Sequence, residues 1–439
     1  MTSGGPGDER ASRVPGGSAI PPDDPLRRTL LDEVHARPPA RLAAPVRIAH
    51  LSLRTTADER AALARSIAAL AAGRGLAAPD VSSGFAWLDA GDFRLQWEQH
   101  TEFAGLTFFR RVDGRDPPAG ALDVVPREWL SALPGTTMVA LSVSVDAAPP
   151  DAAGPAIAAF RDTTLAGSRL GEGVATALTD FRLDADGWSR IVVLDHGMSE
   201  RQAGRFVQRL IEIETYRMMA LLAFPLARSV GPGLADAETR LARIAERTIR
   251  EAGENDAALL DDLTRLAAEV ESAQAASRYR FSAARAYHGL VRRRIADLRE
   301  LRIPGVQTIE EFMERRLAPA MATCESTAGR QAELAERIAR ASQLLRTRVE
   351  VALERQNQAL LDSMNRRARL QLRLQQTVEG LSIAAITYYA AGLVGYLAKG
   401  AKAAGFAIDA DLATAGSIPI LAVAVWAALS RVRRRLAHD

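Results

Sequence analysis

The chain has 439 residues, 48% hydrophobic and 25% charged, with a formal net charge of +3, a size that allows two or three domains and an average that hides any membrane segment. Apart from Lys399 and Lys402 every basic residue is arginine, and no basic run is interleaved with aromatics, so no nucleic-acid partner is expected. The single cysteine, Cys324, excludes an internal disulfide and a CxxC zinc site and fits a reducing compartment.

Residues 1–25, rich in glycine and proline and lacking an apolar run, read as a disordered tail rather than a secretory signal. Residues 26–228 alternate strand-like and helix-like patterns, which predicts an α+β domain of α/β type with an at least partly antiparallel sheet. The strand-like runs are 46–53, 93–100, 105–112, 138–145 and 189–196. Between them, 58–75 has the pattern of an amphipathic helix closed by glycine, and a second helix opens at Ser199, a good N-cap.

Beyond "ARSVGPG" (227–233) strand formers nearly vanish, and 229–378 reads as a long-helix stalk. A helical region runs to about Glu300, a turn follows, and Thr308 with Glu311 offers a capping box for the next helix. No proline interrupts 320–398, so a continuous helix there would be on the order of 120 Å long. Leu334 and Leu345 are spaced by eleven residues, as are Ile338, Val349 and Leu360, and Leu353 and Met364. That period favours a nearly straight association over a left-handed coiled coil. It suits packing on the chain's own helix 234–300 or on copies of itself in a homo-oligomer.

Residues 379–439 contain two uncharged runs, 381–398 and 412–430. At about 1.5 Å per residue the first would cover roughly 27 Å, close to the hydrocarbon core of a bilayer. Two runs in tandem with a short polar link predict a transmembrane hairpin. Arg366, Arg367, Arg369 and Arg373 precede it and Arg431, Arg433, Arg434 and Arg435 follow it, which assigns both chain termini to the cytoplasm and leaves 26–228 cytosolic.

Candidate chemistry is sparse. Asp32, Glu33, His35 and Arg37 crowd together before two prolines, and Glu98, His100 and Glu102 would share one face of an extended segment, with Trp97, Thr101 and Phe103 on the other. Asp195 and His196 end a strand, where sites often sit in α/β folds. One reading gathers His35, Arg37, Glu98, His100, Glu102 and His196 at a ligand or divalent-metal site, with the His35, His100 and His196 set as metal ligands of an enzyme. The other leaves them as local polar contacts. No P-loop, GxGxxG, GxSxG or HExxH pattern stands in usable context, so no cofactor is identified and no defined catalytic activity is expected. Cys324 has no recognisable histidine partner and reads as a packed residue.

The segments "LLDEVHARP", "WEQHTEF" and "ERQNQALLDSMNRRARLQLRLQQTVEGLSIAAITYY" resemble an uncharacterised bacterial family of predicted membrane-anchored proteins that contains a domain of unknown function. The resemblance covers nearly everything after the tail, implies an inner-membrane location and transfers no catalytic residue. The architecture, a cytosolic domain followed by a stalk helix and two spans, also looks like CorA-type magnesium channels. In that case Glu379, Tyr388, Gly392 and Gly395 would line a pore. The Gly-Met-Asn signature of those channels is absent, and Arg369 and Arg373 would form positive rings unfavourable to cations. The expectation is therefore a bilayer-anchored, homo-oligomeric binding protein, with an ion channel and a metal-dependent enzyme as alternatives.

Overall fold

The computed structural model describes residues 24–436 apart from 29, 32–37, 82, 113–119, 161–163, 252, 254, 406 and 408. The chain divides into two compact units, one of Met1–Arg243 with Arg265–Ala339, the other of Ile244–Thr264 with Arg340–Asp439.

In the first unit the elements run β1 (Val46–Arg54), α1 (Ala57–Gly73), β2 (Phe85–Asp89), β3 (Arg94–Gln99), β4 (Phe103–Arg111), α2 (Arg127–Ser131), β5 (Thr136–Ala147), α3 (Ala153–Ala158), β6 (Ala166–Leu170), β7 (Ala175–Thr179), β8 (Ser189–Asp195) and α4 (Glu200–Leu221). There follow α5 (Ala223–Arg250), α6 (Asp256–Leu298), β9 (Leu301–Arg302), α7 (Ile309–Arg316), α8 (Ala318–Ala403) and α9 (Ala410–Leu436). Helices α5, α6 and α8 each pass from one unit into the other. The strands form one nine-stranded sheet in the order β2-β3-β4-β1-β5-β8-β7-β6-β9. Every pairing between named strands is antiparallel except β5 with β8, so the α+β reading holds.

Strand alternation decides what each face buries. Ala49, Leu51 and Leu53 of β1, with Leu95 and Trp97 of β3 and Leu106 and Phe108 of β4, lie under α1, whose Leu63, Ile67, Leu70 and Ala71 close that core. Each large apolar side chain fully buried in this way contributes about 1.5–3 kcal/mol. A capping box opens α1: Thr56 Oγ1 accepts from Glu59 N–H at 3.3 Å, and Glu59 Oε2 accepts from Thr56 N–H at 2.7 Å. On the opposite face Val46 and Ile48 share a core with Leu141, Val143 and Val145 of β5 and with Phe206, Val207 and Leu210 of α4.

The sheet unit does not stop at residue 228. Phe281, Ala284, Val291, Ile295 and Leu298 of α6 join that second core, and the chain then returns β9 to the sheet edge beside β6. Residues 281–298, expected within the long-helix stalk, thus help to cover the sheet. Helix α5 also runs through Pro232, because Ala227, Leu234, Ala237 and Leu241 on either side of it are buried.

Among the described residues three helical stretches are long and apolar enough to cross a membrane: Glu200–Arg250, Ile309–Ala403 and Ala410–Arg431. The first was not anticipated as a span, and its α4 part is buried against the sheet. In the second unit, α8 continues unbroken to Ala403 and α9 follows it after a short connection. Within this unit Arg348 Nε lies 3.0 Å from Asp256 Oδ2, and its guanidinium donates to the Thr248 carbonyl at 3.2 Å. The eleven-residue stripe of α8 is split in its environment. Leu334, Ile338 and Leu345 are buried, whereas Leu353, Leu360 and Met364 are exposed.

Candidate functional site

On the face of the sheet covered by α4 and α6, two adjacent cross-strand rows are polar. Register aligns Gln96 of β3 with Thr107 of β4, and Thr107 with His50 of β1. The next row aligns Glu98, Gly105 and Ser52. His50 is only 4% exposed, and both its ring nitrogens are engaged: Nδ1 lies 2.9 Å from Thr107 Oγ1 and Nε2 lies 3.2 Å from Thr215 Oγ1 of α4. Gly105 makes room for the ring, since a Cβ there would stand 3.2 Å from His50 Cε1. Burial pushes the His50 pKa down to about 4, against the pull of Glu98, with His100 adding to the fall.

Glu98 is held by the Gln96 amide, which donates to Oε1 at 2.7 Å, and by His100, whose Nε2 stands 3.8 Å from Oε2. Burial raises its carboxyl, but His100, Gln96 and His50 together bring it below the usual carboxylate range. Glu212 of α4 pairs with Arg294 of α6 and accepts from Gln208 at 3.0 Å. Burial keeps Glu212 above its ordinary value despite Arg294, and the Glu98 charge adds to the rise. Farther along, Arg280 Nη1 lies 2.7 Å from Glu102 Oε2. Tyr287 is stacked on Tyr216 at 5.8 Å and pushed up to about 12, chiefly by burial and then by the Glu102 charge.

Those residues singled out by sequence that are described do not gather in one place. His35 and Arg37, with Asp32 and Glu33, lie outside the described residues. Glu98 and His100 do come together, but Glu102 does not share their strand face. β3 ends at Gln99, and a tight turn in which His100 N–H donates to the Phe103 carbonyl at 2.8 Å reverses the chain at Thr101 and Glu102. The same turn brings Phe103 to the Glu98 side, where its ring stacks on His100 at 4.2 Å, instead of to the Trp97 side.

His196 sits at the other end of the sheet. β5 runs from Thr136, level with Arg54 and Phe103, to Ala147, level with Asp195. At roughly 3.3 Å per residue that separates His100 from His196 by more than ~30 Å. His196 is engaged there by Thr176 Oγ1 at 2.9 Å and the Ala148 carbonyl at 2.8 Å. The joint metal site of His35, His100 and His196 is therefore corrected: two of its three histidines cannot share an ion. Among the described residues no group of three His, Cys, Asp or Glu side chains could hold a metal.

His50, Thr107, Thr215, Glu212 and Arg294 were missed. One signal was legible: in Val46–Arg54, His50 and Ser52 occupy the same inward parity as Val46 and Ile48. With both ring nitrogens occupied and solvent excluded, His50 is a polar tie between sheet and helix rather than a catalytic base.

A family model described as "Protein of unknown function (DUF3422)" matches residues 22–436. The chain belongs to this family. The DUF3422 match runs from ahead of the sheet to the end of α9, so the resemblance to an uncharacterised family holds over nearly the whole chain. No curated protein and no solved structure matches the chain, and a likeness to CorA-type channels is not shown.

The four residues expected to line a pore also separate. Gly395 of α8 faces Thr414 of α9, 3.1 Å from where its Cβ would stand, while Gly392 has open space and Tyr388 is exposed. Glu379, partly exposed, lies just before the uncharged run.

Proposed function

We propose that this DUF3422 protein is a bacterial inner-membrane protein whose C-terminal helical hairpin, 381–398 and 412–430, anchors a cytosolic binding module built on the nine-stranded sheet. The observation that carries this reading is the inverted packing of the hairpin. Thr387, Ala391, Gly395 and Ala398 line the buried face of α8, and Ala410 and Thr414 answer them from α9. The large apolar side chains Leu393, Leu397, Ile420, Val423 and Trp426 point outward and are 61–70% exposed. In water each such side chain forgoes about 1.5–3 kcal/mol of burial. In a bilayer, small residues between helices and large ones toward lipid are the favoured arrangement.

The exposed arginines Arg366, Arg367, Arg369 and Arg373 before the first run, and Arg431 after the second, favour cytoplasmic ends for both helices. Arg433, Arg434 and Arg435 extend the last turns of α9 in the same sense. The exposed apolar residues Leu353, Leu360 and Met364 on α8 favour self-association of that segment.

Membranes from cells making the full chain test the anchor. Retention in the pellet through an alkaline wash, with a C-terminal reporter active only in the cytoplasm, is the expected result. Release by the wash, or a reporter active outside, would overturn it.

A further inference from the structure

We infer that the sheet unit binds a small multivalent oxyanion, one carrying phosphate or carboxylate groups, in a cleft at the end of β1, β3 and β4. The cleft has a volume of about 470 Å³ and is lined by Arg41, Arg94 and Arg111 over a floor that includes Val46 and Phe109. Three separate segments supply the arginines. Arg94 opens β3 opposite Phe109, Arg111 closes β4 opposite Val46, and Arg41 comes from the run that leads into β1.

The charge balance of the cleft is what points to an anion. None of these three guanidinium groups has a carboxylate partner among the described residues, whereas nearby Arg47 pairs with Asp146 and Arg74 with Asp92. Arg94 lies over the Trp87 ring at 4.6 Å, which orients it without neutralising it. Two carboxylates line the cleft, and Asp92 is already taken by Arg74 at 2.6 Å. Asp89 accepts from the Gly91 N–H at 3.0 Å, leaving one carboxylate against three cations. Arginine cannot relieve this by losing its proton, and its planar fork matches a carboxylate or phosphate with two parallel hydrogen bonds. Val46 and Phe109, 2% and 7% exposed, give the same cleft an apolar floor. The ligand is therefore an oxyanion with a compact apolar part, within the size range of ordinary small-molecule sites.

This deepens the reading of the sheet unit as a binding module and is independent of the anchor, because every lining residue belongs to the first unit. The test is calorimetric titration of the full chain in a non-ionic detergent with pyrophosphate and with citrate, chloride serving as the control. Saturable binding of one probe at millimolar concentration or below is expected, and the probe that binds better separates a phosphate ligand from a carboxylate one. Arg94→Gln with Arg111→Gln should weaken it about tenfold or more, while Arg302→Gln, outside the cleft, should leave it unchanged. Arg94→Lys with Arg111→Lys, which keeps the charge and loses the fork, should fall between. No saturable binding of either probe, or binding untouched by the double glutamine variant with an unchanged melting profile, would overturn the proposal.

Discussion

The imidazole of His50 joins β1 to α4, its Nε2 3.2 Å from the hydroxyl of Thr215 and its Nδ1 2.9 Å from that of Thr107 on β4. A neutral ring can serve both neighbours, donating to one hydroxyl and accepting from the other, and burial keeps it neutral in the folded state.

The folded pKa of about 4 lies below the ordinary histidine value of 6.5, so the unfolded chain binds this proton more tightly. The associated stability is present above pH 6.5, is lost as pH falls toward 4, and amounts to about 3 kcal/mol. His288 is also lowered, chiefly by burial, and acts in the same direction. Thermal melts between pH 7.5 and 4.5 are therefore expected to show a falling midpoint with a shallower slope in His50→Gln. An unchanged slope in that variant would remove His50 from the account.

Gly204 of α4 lies beneath the backbone of Ala40, and a Cβ there would stand 1.6 Å from the Ala40 carbonyl oxygen. The same crossing is tied by Leu42 N–H, which donates to the Glu200 carbonyl at 3.1 Å. Gly204→Ala must push the segment carrying Arg41 away from the helix. A loss of about 1–3 kcal/mol in denaturant unfolding is expected, together with weaker anion binding at the Arg41 cleft.

The two glycines of the α8 hairpin segment should respond oppositely. Gly395→Leu inserts a side chain against Thr414 and should lower the thermal stability of the protein in detergent, whereas Gly392→Leu, facing open space, should be tolerated. Equal sensitivity at both positions would contradict the packing described.

On a helix turning about 100° per residue, Leu353, Leu360 and Met364 fall within about 40° of one another and Asp362 lies opposite them. In a Cys324→Ala background, Leu360→Cys should cross-link to a second copy under mild oxidation in membranes, and Asp362→Cys should not. Cross-linking at neither position would count against self-association through this stripe.

The strands with β-branched or aromatic alternation, β1, β3, β4, β5 and β8, could be read directly, as could the helical pattern of α1 and the capped starts of α4 and α7. β6 and β7 could not: "AGSRL" and "ATALT" carry little strand propensity and become strands by being wholly or largely buried between neighbours. β9 is two residues long and follows a 43-residue helix, so no local pattern marks it. For the polar rows, the inward parity of His50 was visible in β1, but its partner Thr215 stands 165 residues away on a helix whose rotation sequence alone does not set. Glu102 was misassigned because the extended pattern was carried through a turn that leaves no glycine or proline behind.

The two-residue strand β9 has a consequence for synthesis. Ser168 and Arg169 of β6 wait for Arg302 and Leu301 to pair with them, so the ribosome makes more than a hundred residues before that edge is covered. Until then β6 is an open strand, a template for the wrong neighbour. Because domains fold in the order they emerge, the helices that follow β8 must be gathered first, and the edge is closed only with the turn before α7. The apolar hairpin is made after all of this. A nascent chain that stalls before β9 would carry the hazard of an exposed edge, whereas one that stalls after α7 would carry a finished sheet without its C-terminal helices.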